Sequence, residues 1–430
     1  MKVHLTSLGC RLNQSEIDSM AREFMRRGDQ VVDAAESADL FVVNTCAVTQ
    51  EATRSSRQLI YRLHRASPDA RIAATGCYSN IAPAETATLP GVTHVVDNLA
   101  KESLVSIVTG EPAAPVESFD HEPVTRDRLT GAQGRTRAFI KVQDGCDRHC
   151  SFCVTRVARG KGRSRPLTEI VAEIRELHAA GYQEAILTGV HLGSYGHDLG
   201  EPDLLYHLLR AILADTDIPR VRLSSLEPWG IPAGFFDLWQ NPRLCRHLHL
   251  PLQSGCDSTL RRMIRRTSQS EFRAVVEAAR QAIPDVAIAT DIIVGFPGET
   301  DQEFSISRDF IEAMNFADMH VFRYSQRPAT AAARMGNQVS EDVKHRRSDE
   351  LHDLKRRCQE QFARQFVGKS MPVLWEAVSG ATQNGFINSG YTDNYLRVRS
   401  IVPDVLTNQI SETTLISFDV EAGLMQGEFI

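Results

Sequence analysis

Apolar and polar positions alternate along this chain in different rhythms, and the places where the rhythm changes divide it into parts. Between residues 3 and 98, apolar runs at 3–8, 40–44, 71–75 and 94–97 are interleaved with stretches of helical period at 15–27 and 51–65. That alternation predicts βαβ units on a parallel sheet. The periodicity then vanishes into Gly, Pro, Asp, Glu and Arg, as in Gly110-Glu111-Pro112 and Gly131-Ala132-Gln133-Gly134, which predicts a linker over 111–135. Six further apolar runs, at 138–142, 185–188, 221–224, 247–252, 286–294 and 319–324, each precede a helical stretch. Six such repeats predict a partial (β/α)6 barrel with its chemistry at the rim where the strands end. A charged stretch over 341–366 predicts a closing helix. Beyond Gly368, short alternating runs at 371–377, 385–388 and 395–398 predict a small β-barrel, an architecture that suits RNA. The expected class is therefore α/β, with domains at 1–110, 136–366 and 367–430.

The sequence has 430 residues, 42% of them hydrophobic, enough for more than one core. No apolar run approaches the ~20 residues that span a bilayer. The opening Met1-Lys2-Val3-His4-Leu5 enters a strand pattern at once instead of a signal peptide, so a cytoplasmic protein with no membrane partner is expected. A net charge of -6 gives no general attraction to nucleic acid. Any RNA contact must come from local basic patches, and one such patch is Arg156, Arg159, Lys161, Arg163 and Arg165. The nine cysteines are an odd number without an export signal, which points to metal or redox chemistry over a disulfide framework.

Cys146-Asp147-Arg148-His149-Cys150-Ser151-Phe152-Cys153 is a CxxxCxxC run just after the first barrel strand. Three thiolates so spaced can wrap three irons of a 4Fe-4S cube and leave the fourth without a protein ligand. A closed zinc site would need four ligands; no second CxxC pair follows, and His149 sits awkwardly between two of the cysteines. Cys10, Cys46 and Cys77 are far apart in sequence but each follows a strand end, so they can converge on one sheet edge as a second cluster site. Cys245, Cys256 and Cys358 hold no equivalent positions and read as buried small side chains.

CxxxCxxC at the top of a partial barrel resembles the radical S-adenosylmethionine (SAM) superfamily. The resemblance implies that SAM chelates the open iron and is cleaved to methionine and a 5′-deoxyadenosyl radical. It also implies that Phe152 packs near the adenine, and that the strand ends carrying Thr188, Gly189, Ser224, Glu227, Gln253 and Gly295 shape the cofactor pocket. Thr188-Gly189-Val190 lacks the Gly-Glu-Glu form common there.

Two clusters in this order with a β-barrel tail resemble the methylthiotransferases over nearly the whole chain. The matching stretches are Leu8-Gly9-Cys10-Arg11-Leu12-Asn13-Gln14-Ser15-Glu16, Asn44-Thr45-Cys46-Ala47-Val48-Thr49, Gly76-Cys77-Tyr78 and Arg159-Gly160-Lys161-Gly162-Arg163-Ser164-Arg165-Pro166. The tail from about Phe366 is similar to their TRAM domain. The resemblance implies two 4Fe-4S clusters, with SAM as both methyl donor and radical source. It further implies a tRNA anticodon stem-loop as substrate, a sulfur source, and an electron donor such as flavodoxin or ferredoxin. Gly-Cys-Arg-Leu-Asn-Gln is most similar to the branch acting on N6-threonylcarbamoyladenosine. The alternatives are the same reaction on isopentenyladenosine or on a ribosomal-protein aspartate, and a non-enzymatic iron-sulfur RNA-binding protein.

Overall fold

A computed structural model describes residues 1–111, 136–201 and 203–429; the expected linker, apart from Glu111, lies outside the described residues. The N-terminal domain is a five-stranded parallel sheet in the order Gln30–Val31, Lys2–Ser7, Leu40–Thr45, Arg71–Gly76, Val92–Val95. Successive side chains of its central strand point to opposite faces. Leu40 and Val42 pack with Ile17, Met20 and Phe24 of helix Arg11–Arg26, while Phe41 and Val43 pack with Leu59, Ile60 and Leu63 of helix Gln50–Ala66. With both faces covered, that strand is buried throughout, so it reads as an unbroken apolar run.

Six strands of the middle domain form its barrel, Arg137–Lys141, Glu184–Thr188, Arg220–Leu223, His247–His249, Ala287–Val294 and Asp318–Arg323, and a short pair, Gln143–Asp144 with Arg163–Ser164, lies apart from them. The six form two parallel three-stranded sheets joined by single bridges at Val221 to Leu244 and Ser225 to His249, an open barrel of six strands. Helices Leu167–Ala179, Leu204–Asp215, Gln269–Ala282 and Asp301–Met314 cover its outside, and Ser268 and Thr300 start the last two with reciprocal capping boxes. After the third strand the expected helix is replaced by a 3-10 turn, Phe235–Gln240, whose Phe235, Phe236 and Trp239 fill the core. Helix Glu341–Arg364 closes the domain against the last strand. No helix among the described residues is long and apolar enough to cross a membrane.

The C-terminal strands Ser370–Thr382, Gly385–Thr392, Arg397–Val402, Leu424–Phe429 and Ile410–Asp419 close into a barrel in that spatial order. Trp375 is fully buried at its centre, and its indole N–H donates to Ser411 Oγ at 2.8 Å.

This barrel is fastened to the middle domain by charged groups buried at the seam. Arg222 is hydrogen-bonded to Glu184 at 2.7 Å and donates to the Asp393 carbonyl at 2.9 Å; Arg220 donates to the carbonyls of Tyr391 and Pro372. Burial alone would raise the Glu184 carboxyl, but Arg222, Arg137 and Arg220 outweigh it and bring it down to about 2. A folded-state value below the unfolded one means that this stability is present above the unfolded value and is lost as the pH falls through the folded one. Glu184→Gln is therefore expected to cost about 3–5 kcal/mol at neutral pH, because Arg222 is left buried without its counter-charge. It should also flatten the loss of stability between pH 4.5 and about 2. Denaturant unfolding followed by tryptophan fluorescence across that range tests both, and an unchanged midpoint at neutral pH would refute the first.

Candidate active site

Cys146, Cys150 and Cys153 lie in the loop that follows the short strand Gln143–Asp144. Gly145 enters that loop at φ +70, where a Cβ would overlap the Lys161 carbonyl, and Cys146 N–H donates to Gly160 O at 3.1 Å. Each sulfur has a donor: the Arg148 N–H to Cys146 Sγ and the Thr155 N–H to Cys153 Sγ, both at 3.4 Å, and the Arg265 guanidinium to Cys150 Sγ at 3.8 Å. Burial and the neighbouring cysteines push the Cys146 thiol up to about 11 and raise Cys153 as well. Such thiols stay protonated at neutral pH until a metal displaces the proton. His149 is exposed and its ring meets Arg156, so it completes no zinc site.

At the other cysteine set, Gly9 has φ +95, and a Cβ on it would stand 2.6 Å from Cys46 Sγ. Only glycine lets the Cys10 loop come this close to the second cysteine. The three loops are laced together. Asn13 Nδ2 donates to the carbonyls of Leu8 and Thr45, Ser56 Oγ bridges the backbone N–H and carbonyl of Cys46, and Thr45 Oγ1 donates to Thr75 O. Burial drives the Cys46 thiol up to about 11, with Cys77 and Cys10 adding to it; burial raises Cys77 too. Among the described residues, three candidate metal ligands come within 4.8 Å of one another only at His249, Asp291 and His320.

Between the two sets lies a seam of buried charge. Glu16 accepts from Lys101 Nζ at 2.7 Å and Arg159 Nη1 at 2.9 Å, and Arg159 also reaches Asp144 at 2.8 Å. Arg159 is thus a correction to the expected basic patch. It is only 2% exposed, its guanidinium is held by two carboxylates and Asn13, and it cannot serve a phosphate backbone at the surface. The other four are more exposed, but Arg165 is paired with Glu173 at 2.7 Å and Arg156 with His149. Lys161 is exposed, and Arg163 donates to the Arg159 carbonyl at 3.3 Å and lies 3.7 Å from Asp144.

A cavity of about 740 Å³ joins all three domains. Its lining includes Cys10, Arg11 and Cys77 from the first, Thr188, Gly189, Ser224, His249, Asp291 and His320 from the barrel strands, and Tyr391 and Tyr395 from the last. Phe152, Glu227, Gln253 and Gly295 lie outside this lining. Phe152 packs with Met263, Phe296 and Tyr324; Glu227 pairs with Arg265 at 2.6 Å; Gln253 takes φ +76; and the Gly295 N–H is held by Glu299 at 2.7 Å. Among the buried side-chain atoms of the described residues that have no hydrogen-bond partner are the Ser224 hydroxyl and both ring nitrogens of His191. Such orphaned atoms at strand ends beside the cysteine loop fit a polar ligand such as SAM. Gln143, which no motif singled out, accepts from the Val190 and His191 N–H groups at 3.0 Å and donates to Gly145 O at 2.8 Å, tying the second strand end to the cysteine loop.

Residues 140–311 match the radical SAM superfamily, and residues 2–97 match a family described as "Uncharacterized protein family UPF0004". In overall fold the chain is similar to TsrM from Kitasatospora setae, a radical S-adenosylmethionine methyltransferase solved with tryptophan and a SAM analogue: 16% identity, TM-score 0.54, covering 75% of this chain and 72% of that one. Among curated relatives it is similar to the threonylcarbamoyladenosine tRNA methylthiotransferase MtaB of Bacillus subtilis, at 35% identity over 91% of this chain and 88% of the relative. The MtaB of Thermotoga maritima is 36% identical over 92% and 90%. A tRNA-2-methylthio-N(6)-dimethylallyladenosine synthase of Maricaulis maris is 33% identical over 87% and 86%. Both matched segments carry one of the two cysteine sets, and the relatives align with nearly the full length, so the chain belongs to the radical SAM methylthiotransferase family.

Proposed function

We propose that this protein is a tRNA methylthiotransferase that adds a methylthio group to C2 of N6-threonylcarbamoyladenosine next to the anticodon. One observation carries the reading: a single cavity is bordered by Cys10 and Cys77, by the barrel strand ends at Thr188, Gly189 and Ser224 and by the C-terminal barrel. A nucleotide held there would lie against the N-terminal cysteine loops and the strand ends beside the CxxxCxxC loop, whose own cysteines stand outside the lining. Relatives named for threonylcarbamoyladenosine stand at 31% to 36% identity, four of them at 35% or 36%, whereas those named for dimethylallyladenosine stand at 30% to 33%, which supports the first substrate.

Cys146, Cys150 and Cys153 would hold one 4Fe-4S cluster and SAM, and Cys10, Cys46 and Cys77 the second cluster. When bound, these groups supply a carbon radical and a methylated sulfur, reactivity that acid-base side chains lack toward an adenine C2–H bond. The chain's own part is placement. Gln143 and the N–H donors to sulfur fix the cysteine loop. The Ser224 hydroxyl and the Thr188-Gly189 strand end offer polar contacts to SAM, and Phe152, within its apolar group, offers a face for the adenine. Arg265, between Glu227 and Cys150, places positive charge beside the cluster. Glu227, Gln253 and Gly295 would complete the pocket's outer wall. Lys161, Arg163, Arg156 and Arg165 offer charge to the phosphates of an anticodon stem-loop, whose unstacked bases turn outward at small cost. We place domain limits at 1–110, 136–366 and 367–430 with a linker at 111–135, a division supported by the separate five-stranded sheet, the two three-stranded sheets and the closed barrel. The reaction needs an electron donor such as flavodoxin or ferredoxin and a sulfur source, all in the cytoplasm with tRNA.

Anaerobically reconstituted protein is expected to carry about eight irons, the content of two 4Fe-4S clusters. Changing Cys146, Cys150 and Cys153 together to Ala should leave about half of that iron and abolish deoxyadenosine formation from SAM. Changing Cys10, Cys46 and Cys77 should leave the other half, spare SAM cleavage and remove methylthio transfer. Iron analysis and chromatography of the products decide it, and full iron in either variant would overturn the ligand assignment.

Mass spectrometry of tRNA nucleosides from cells with and without the gene tests the substrate. Loss of 2-methylthio-N6-threonylcarbamoyladenosine alone is the expected outcome, whereas loss of the methylthio-isopentenyl nucleoside instead would overturn the branch assignment.

A further inference from the structure

Arg11 follows Cys10 directly and lines the cavity. Its guanidinium donates to the Tyr395 hydroxyl at 2.9 Å, and no carboxylate of the described residues is ion-paired with it. Of the arginines beside it, Arg137 is paired with Glu376 and Arg222 with Glu184, a carboxylate that Arg220 shares. Arg11, Arg137 and Arg222 all stand over the Tyr395 ring, so the Arg11 guanidinium is a cation held among cations. The carboxylates bordering the same space are already engaged. Asp291 accepts from His249 and His320, both at 3.0 Å, and Asp318 pairs with Lys355 at 3.1 Å. The wall beside Cys10 therefore carries a positive charge with no counter-ion of its own, an arrangement that an anionic ligand relieves.

Tyr395 supplies a second donor. Its hydroxyl accepts from Arg11 and, at 3.3 Å, from Arg137, so its own proton is left to point at a ligand. Its ring is fixed by stacking on Tyr391 at 4.9 Å and by His247 at 4.6 Å. Two donors of fixed position on one wall suit a carboxylate, which accepts at both oxygens.

We infer that Arg11 and Tyr395 form a subsite for the carboxylate of the substrate's N6 substituent. The inference rests on the methylthiotransferase reading given above. A threonine attached through its amine to the carbamoyl group keeps its carboxylate, which is ionised at neutral pH. An isopentenyl group carries no charge and would leave the guanidinium uncompensated, so the subsite selects for one nucleotide and against the other.

The test uses the enzyme with both clusters reconstituted and three anticodon stem-loop RNAs. The first bears N6-threonylcarbamoyladenosine, the second its carboxamide counterpart, and the third isopentenyladenosine. Methylthio transfer is read as kcat/KM, with deoxyadenosine measured alongside. Loss of one hydrogen bond to a charged group corresponds to roughly tenfold or more, so the wild-type enzyme is expected to prefer the acid over the carboxamide by at least that factor. Arg11→Gln should bring the preference close to one, Tyr395→Phe should lower it part of the way, and iron analysis verifies that each variant keeps both clusters. Equal kcat/KM for acid and carboxamide with the wild-type enzyme would overturn the subsite, needs no variant to fold, and would leave the methylthiotransferase reading intact. Deoxyadenosine formation with no methylthio transfer to any of the three RNAs would overturn that reading itself.

Discussion

Glu16 sits between Lys101 and Arg159 at a place water does not reach, and the site's geometry hangs on that arrangement. Burial alone would raise its carboxyl, but the two cations outweigh burial and hold it well below the usual range. Removing these groups from water costs free energy that only close, well-directed contacts offset. The three therefore tolerate little displacement. Glu16 rides on the helix that begins beside Cys10, Arg159 ends the short helix after Cys153, and Lys101 comes from the last part of the N-terminal domain. Fixing them fixes the two cysteine sets relative to each other.

Hydrogen bonding extends this frame in both directions. Asn44 donates to Glu16 and to the Asn13 carbonyl, and Asn13 in turn spans the first two cysteine loops. On the other side Asp144, which receives Arg159, precedes Gly145 and the CxxxCxxC run. A chain of polar contacts thus links one sulfur set to the other, beside Ala158, which packs in the apolar cluster of Cys77 and Tyr78, and each polar member is satisfied only when its neighbours are in place.

Most of this architecture is legible in the sequence. Runs such as 40–44 and 286–294 are long, apolar and doubly covered, and they appear as strands Leu40–Thr45 and Ala287–Val294. The tail was read less fully. Strands Ile410–Asp419 and Leu424–Phe429 are mixed in polarity because a small barrel buries only one face of each, and Gln30–Val31 is too short to show a period at all. The cysteines were found because strand ends and spacing mark them. Arg159 was misjudged because a buried cation and a surface one look identical in sequence, and only the carboxylate brought over from residue 16 distinguishes them. Gln143 was missed for the same reason: its partners are backbone groups that carry no sequence signature.

The contact between Arg11 and Tyr395 spans 384 positions. Closing a loop of that length is slow compared with forming the βα repeats that lie between, which rely on neighbours. During synthesis the sheet carrying Cys10, Cys46 and Cys77 can fold long before the ribosome reaches residue 395, since domains fold largely as units from the N-terminus. Both thiol sets are then complete while the wall contributed by Tyr391 and Tyr395 does not yet exist. The wall that the tail gives the cavity is thus the last of its sides to be synthesised.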